Sequence, residues 1–434
     1  MSVLGGLLTA GPAVVSADFG TVVLVLGALL VLGALASGLA GRSFVTLTAL
    51  FVLAGFLLGA GGLDVISFHA RGGFVADLAT IALIVILFRD GLEVEAEMLQ
   101  NHWHLPLRKL VLAMPLTAII VAAAGHWAAG LSWTQALLLG ALLSPTDPVL
   151  SSSVVTNPRV PRIVRHSLNL ESGLNDGLAL PAVLVFAAAL GAGHVVWWRF
   201  ALENIGFGFV VGLAVGLISA QLVPGRRGLA EGIPNHQRAL FGLGVACAAY
   251  GVADLLPHGN GLIAVFVAAI ALGIRRPEVR HYFERQAAGL VELVKLGIFV
   301  VFGSLLTLDM LAAPGWGAVA VVVVCLFVAR PVAVFAALAG TATDTATRGF
   351  MAWFGPKGVA TMTFSLLVLA DGVSNGRRIF ALAALTAFCS ILVHGATDTA
   401  GSEWLARRAE RASGAPALGT PEAGPAETEL GSRA

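Results

Sequence analysis

Four short clusters hold side chains that could do chemistry: Ser144-Pro145-Thr146-Asp147-Pro148, Glu171-Ser172-Gly173-Leu174-Asn175-Asp176-Gly177, Arg330-Pro331 and Phe354-Gly355-Pro356-Lys357-Gly358. Each interrupts a long apolar run. In the second cluster Ser172 and Asp176 stand four residues apart, as do Glu171 and Asn175, so on a helix each pair shares a face. Oxygen-bearing side chains and a carboxylate then face one region, and hard cations take oxygen ligands. A carboxylate in such surroundings holds a proton more readily than one in water. Asp176 is therefore a candidate to trade a proton for a cation. The alternative is a polar helix–helix packing patch.

The two prolines around Asp147 remove backbone donors and break a helix. The freed carbonyls and half-helix ends can serve an ion. Asp147 either caps the second half-helix or joins the site, and an interrupted helix accommodates both. Gly355-Pro356-Lys357-Gly358 cannot be a regular helix interior and makes a second break. Lys357 either balances half-helix C-terminal dipoles or snorkels. Arg330 stays protonated and, if buried, needs a carboxylate; Glu171 is the first candidate and Asp176 the second. Lys295 is expected to pair with Glu292 three residues away on the same helix. Asp90 either lines an entrance or pairs with Arg89 at the surface. His394 reads as a packed helix histidine.

The elements that must position these residues are written in the composition. Of 434 residues, 57% are apolar and 12% charged, against about 25% charged in soluble domains. Mean hydropathy is +0.89. An ordinary water-soluble enzyme is excluded. With Lys+Arg at 26 and Asp+Glu at 25, no basic excess exists to hold nucleic acid. No Gly-x-x-x-x-Gly-Lys-Ser/Thr loop is present for a nucleotide, and no His-Glu-x-x-His or Gly-x-Ser-x-Gly run for hydrolysis. Cys247, Cys325 and Cys389 lie in apolar runs and read as buried thiols.

Thirteen apolar segments approach the length of a bilayer crossing: 20–40, 43–61, 74–91, 109–129, 133–153, 167–190, 201–223, 238–256, 259–274, 291–308, 317–340, 350–370 and 379–398. With the N-terminus placed outside, eighteen Lys and Arg fall in inner loops. Four fall in outer ones: Arg71, Arg199, Arg377 and Arg378. That asymmetry follows the positive-inside rule and places the C-terminus inside. A rise of about 1.5 Å per residue puts Asp176 roughly 13 Å deep, Arg330 roughly 15 Å, and Asp147 and Lys357 nearer 10 Å. Four spans thus carry charge to a similar depth, as one shared buried site requires. Such charge costs roughly 2.5–3.5 kcal/mol per residue on insertion scales and marks functional candidates. The two broken spans run antiparallel, as inverted repeats demand. The expected fold class is an all-α polytopic membrane protein of about thirteen transmembrane helices. Residues 1–19 form an extracytoplasmic N-terminus, 20–398 the transmembrane domain, and 399–434 a short disordered cytoplasmic tail.

These motifs, in this order and spacing, resemble the monovalent cation/proton antiporter superfamily and, within it, the NhaP-like, CPA1 branch. The resemblance spans about residues 20–398. It implies two inverted repeats whose broken helices cross, a mobile core of spans 4–6 and 11–13, and a dimer platform of spans 1–3 and 8–10. It implies that Asp176 binds either the proton or the cation (Na+, K+ or Li+, with Na+ first). Ser172 and the Thr146 main chain would help to coordinate that cation, and Glu171 would pair with Arg330. Asn175 precedes Asp176 where an electrogenic relative has a second Asp, which implies electroneutral exchange. Lys357 stands where many relatives have Arg. The third-span glutamate of some relatives has no clear counterpart; Arg89 falls near that position and Asp90 follows it. The expected protein is a homodimer in a bacterial plasma membrane, with no cofactor, nucleotide or nucleic acid and no enzymatic activity. An organic-anion or other solute transporter on the same fold is the alternative.

Overall fold

The computed structural model describes residues 47–69, 73–94, 103–147, 159–191, 196–223, 235–256, 259–313 and 315–413, with 24, 27, 28, 30, 31 and 157. Among them the chain is helical, without a strand. The helices are α1 (Leu47–Leu58), α2 (Gly73–Leu92), α3 (His104–Trp127), α4 (Trp133–Leu143), α5 (Arg162–Leu190), α6 (Trp198–Leu222) and α7 (Asn235–Leu255). They continue as α8 (Gly261–Arg275), α9 (Pro277–Ser304), the short α10 (Leu308–Ala312), α11 (Trp316–Ala337), α12 (Thr345–Trp353), α13 (Val359–Ala370) and α14 (Gly376–Ser413). Six are long and apolar enough to cross a membrane. Their outer faces carry Leu202, Val210, Leu222 and Trp316, all well exposed. Helices suit this setting because lipid leaves no water to satisfy a backbone N–H or C=O.

Helix starts follow ordinary chemistry. Ser132 and Gln135 form a reciprocal capping box on α4, and Asn260 accepts from Ile263 N–H at 3.1 Å to cap α8. Two packed groups result. In one, α2 and α6 lie on α8, and α9 on α1, α2 and α7; in the other, α3, α4, α5 and α11–α14 pack together. The groups meet chiefly where α2 packs on α5 and α13, and α9 on α13. Glycine permits one such crossing. A Cβ on Gly173 would come within 3.0 Å of the Asp90 carbonyl oxygen, so α2 and α5 touch backbone to backbone one turn before Asp176.

Three sequence expectations change here. The tail expected from residue 399 is helical as far as Ser413. At about 1.5 Å per residue, the 38 residues of α14 outrun a hydrocarbon core of about 30 Å, so its last turns protrude. They hold together because Leu405 and Ala406 are buried, Glu403 pairs with Arg407 four residues on, and Arg159 grips Glu410 at 2.7 Å. Cys247 is exposed rather than buried, because it sits on the outer face of an apolar helix. α9 starts at Pro277, well before the expected 291, because proline is pre-organised for a first helical turn. Residues 1–23, the second half of the first broken span at 148–156, and 414–434 lie outside the described residues.

Candidate functional site

The two breaks meet. After Leu143 the chain leaves the helix as Ser144-Pro145-Thr146-Asp147, and after Trp353 as Phe354-Gly355-Pro356-Lys357-Gly358. The segments bond to each other: Asp147 N–H donates to the Pro356 carbonyl at 2.8 Å. Their charges then cap each other's half-helices. Lys357 Nζ donates to the Pro145 carbonyl at 3.2 Å, at the C-terminal end of α4. The Asp147 carboxylate accepts from Val359 N–H at 3.4 Å, at the N-terminal end of α13. Each charge thus opposes the dipole end that it touches. Gly358 makes the approach possible, since a Cβ there would overlap the Asp147 side chain.

Glu171 is wholly engaged. Arg330 donates from Nη1 at 2.8 Å and from Nη2 at 3.3 Å, a fork on one carboxylate. Lys109 Nζ donates at 2.6 Å to the same group and at 3.3 Å to the Ser167 carbonyl. Arg330 Nη2 also meets the carbonyls of Met351 and Phe354, both at 3.2 Å, at the end of α12. Both cations flank widened π-helical turns, Lys109–Ala113 in α3 and Val324–Ala329 in α11. Such turns recur at functional sites, and the second lies immediately before Arg330-Pro331, where proline removes a ladder hydrogen bond.

Asn175 and Asp176 lie one turn further along α5. Asn175 Nδ2 donates to the Thr146 carbonyl at 2.6 Å and to Thr146 Oγ1 at 3.0 Å. Asn175 Oδ1 is buried without a hydrogen-bond partner among the described residues. Ser172 and Asp176 are both buried on the same helix. Among the described residues no Lys, Arg or His lies within ion-pair distance of Asp176. Its nearest charged neighbours are two carboxylates, Asp90 within side-chain hydrogen-bonding reach and then Asp147, with Arg89 beyond them. The three do not converge as a metal-binding cluster.

The structure thus brings Thr146, Asp147, Glu171, Ser172, Asn175, Asp176, Arg330 and Lys357 together at one crossing. It also adds three residues. Lys109, the first residue of the expected 109–129 segment, is buried. Its helix starts at His104 with Pro106 in the first turn, a start signal that would have moved the boundary inward. Asp90 is buried at 1% exposure, takes Arg89 Nε at 2.8 Å, and stands against Asp176; it is no surface residue. Lys295 and Glu292 make no direct ion pair, though Glu292 is one of the charges that act on Lys295. Lys295 is buried on α9, where Arg89, Asp147 and Asp90 also act on it across the meeting of the two helix groups. The helical turn that spaces Glu292 and Lys295 leaves the former outside and the latter inside.

Residues 25–400 match the model of the family described as sodium/hydrogen exchanger, transmembrane. The K(+)/H(+) antiporter NhaP of Alkalimonas amylolytica is 27% identical over 397 residues, covering 90% of this chain and 68% of that protein. The K(+)/H(+) antiporter NhaP2 of Shewanella sp. (strain MR-4) is 25% identical, covering 86% and 65%. The chain therefore spans about two thirds of the length of these relatives. The solved sodium proton antiporter MjNhaP1 of Methanocaldococcus jannaschii is similar in fold. Its TM-score is 0.77 at 22% identity, over 89% of this chain and 99% of that one. A family match over most of its length, on a fold whose two chain breaks meet beside a buried carboxylate, places this chain in the sodium/hydrogen exchanger family, among its NhaP-like members.

Proposed function

We propose that the chain is a secondary transporter exchanging one monovalent cation for one proton at Asp176. The observation that carries the reading is the contrast between two buried carboxylates on α5. Glu171 is neutralised by Lys109 and Arg330, whereas Asp176 has no basic group within ion-pair distance among the described residues; Arg89, bonded to Asp90, acts on it only from further off. A buried carboxylate without a counter-ion is costly when ionised. A proton or a cation removes that cost, and only one of them fits at a time. Ser172, the Thr146 main chain and the unpartnered Asn175 Oδ1 are oxygens within the same site, as a hard cation requires. The loaded, neutral site crosses more readily than the empty, ionised one, which couples the two fluxes. Asn175, an amide where electrogenic relatives have a second Asp, supports an electroneutral cycle.

Packing supports a moving core of α3–α5 and α11–α14 against a platform containing α1, α2 and α7–α9, the platform pairing with a second copy. The charge asymmetry of the loops supports a plasma-membrane protein with its N-terminus outside. The cargo is Na+ or K+: the sequence reading puts Na+ first, and the relatives' names carry K+. Proteoliposomes containing a pH dye and pulsed with Na+, K+ or Li+, with and without a clamped membrane potential, test the reading. Cation-driven proton movement insensitive to the potential is expected. Proton movement by no monovalent cation across pH 6 to 9 would overturn it and leave the organic-anion alternative.

A further inference from the structure

The break between α12 and α13 holds itself only at its start, where Gly355 N–H donates to the Trp353 carbonyl at 2.9 Å. Its chain is extended, so Lys357 N–H has lost the carbonyl it would bond in a helix. α14 supplies the missing partners from one face, at 390, 394, 397 and 401, the spacing of a single helical stripe. Ser390 Oγ accepts from Lys357 N–H at 2.9 Å. His394 Nε2 bonds the Trp353 carbonyl at 3.0 Å. Thr397 Oγ1 accepts from Trp353 Nε1–H at 3.0 Å. At Gly401 the absent side chain makes room for the Phe354 ring.

Both imidazole nitrogens face carbonyls: Nε2 faces that of Trp353, and Nδ1 that of Ser390 at 2.8 Å, with the Ser390 hydroxyl 3.1 Å away. The neutral ring has one N–H for these two sites. Ser390 and His394 therefore hold the break at both ends: Lys357 N–H on Ser390 Oγ, and the Trp353 carbonyl against His394 Nε2. Three contacts of the break with the site lie between its two anchors. Arg330 takes the Phe354 carbonyl, Asp147 N–H takes the Pro356 carbonyl, and Lys357 Nζ reaches Pro145.

The geometry points to Ser390 and His394 as positioning residues for exchange: together they set the register of residues 353–357 and so place Lys357 on the opposite break. They touch no cargo, and the sequence reading gave His394 only a packing role. The kinetic consequence rests on the exchange reading; the structural one does not.

The test uses full-length protein in lipid nanodiscs and proteoliposomes, with Ser390→Ala, His394→Leu and His394→Gln. The carboxamide of the last can still donate to Trp353. Amide hydrogen exchange is followed in peptides covering 354–359. A rise of about tenfold at Lys357 is expected for Ser390→Ala and His394→Leu, with α8 unchanged and His394→Gln near the parent. In transport, the maximal rate per folded molecule falls about tenfold in the first two, while the half-saturating cation concentration stays within twofold and Gln restores most of the rate. If His394→Leu does not fold, Ser390→Ala carries the test. Exchange at 354–359 within twofold of the parent overturns the proposal whatever happens to transport. Faster exchange with unchanged transport per molecule also overturns it.

Discussion

Glu171→Gln is expected to be far more damaging than Lys109→Met, although it removes only a charge. In the parent, one carboxylate serves two buried cations at 2.6 and 2.8 Å. Glutamine leaves both beside a neutral amide whose NH2 repels one of them. Removing one partner of a buried pair costs about 3–5 kcal/mol. Lys109→Met takes away a buried ammonium and leaves Glu171 forked on Arg330. An unbranched apolar stem of similar size replaces the lysine stem, and volume-conserving swaps cost less than about 1.5 kcal/mol. At about 2 °C per kcal/mol, the low end of the range and suited to a long chain, Glu171→Gln lowers Tm by about 6–10 °C. The corresponding loss for Lys109→Met is at most about 3 °C. Pairing the two substitutions recovers part of the larger loss, because one stranded cation has gone. Thermal denaturation of detergent-solubilised protein, read as the surviving size-exclusion peak, gives the order. A Lys109→Met loss equal to that of Glu171→Gln would refute the reasoning, since it would mean that the lysine, not the carboxylate, holds the triad together.

Gly358→Ala forces a Cβ onto an Asp147 side chain already fixed by Val359 N–H and by its own backbone bond to Pro356. A loss of about 1–3 kcal/mol, typical of overpacking, should appear in the same thermal assay. Ser172→Ala removes one oxygen from the proposed cation site while leaving Asp176 in place. The half-saturating cation concentration should rise about tenfold, from one lost oxygen ligand, with little change in maximal rate in the dye assay. At the end of α14, hydrogen bonds from Arg159 hold Glu410 below the ordinary carboxylate range. Thr347 does the same for Asp344, with Arg408 beside it. The lowered Glu410 stabilises the docked helix end, and the lowered Asp344 the start of α12, fully above their unfolded values of about 4. The contribution fades as pH falls further, through the lower folded values. The protection of 405–413 against hydrogen exchange, taken relative to the intrinsic rate at each pH, should therefore fall on acidification below about pH 4, and at neutral pH in Glu410→Gln. Protection unchanged in both conditions would contradict the clamp.

How much of this was legible in the chain follows from what each feature depends on. The breaks were legible because proline and glycine act on their own backbone, whatever surrounds them: Pro145 and Pro356 end helices wherever they are packed. The Glu171–Arg330 pair was legible because an arginine in an apolar run must find a carboxylate. Lys109 was missed at a boundary. An apolar window starts counting where charge stops, whereas the helix started five residues earlier, at His104. Asp90 and Lys295 depend on which face of α2 and α9 meets the other helix group, and that is a tertiary fact. Their nearest local partners, Arg89 and Glu292, invited local readings; the first exists inside the protein, and the second does not form. The last turns of α14 read as a tail from their Ala, Glu and Arg content. Their order comes from Arg159, some 250 residues away in the chain. His394 was visible, but its role depends on Trp353 being the residue where α12 stops.

The central claim is that Asp176 carries both the proton and the cation. The most direct measurement is proton flux in proteoliposomes containing equal amounts of folded parent and Asp176→Asn, pulsed with Na+ and with K+ under an imposed pH gradient. The account predicts rapid cation-driven proton movement in the parent and none above the protein-free background in the variant, whose amide takes up no proton in this range. Cation-dependent proton movement at half the parental rate or more in Asp176→Asn would contradict it, and would move the exchanging carboxylate to Asp90 or Asp147.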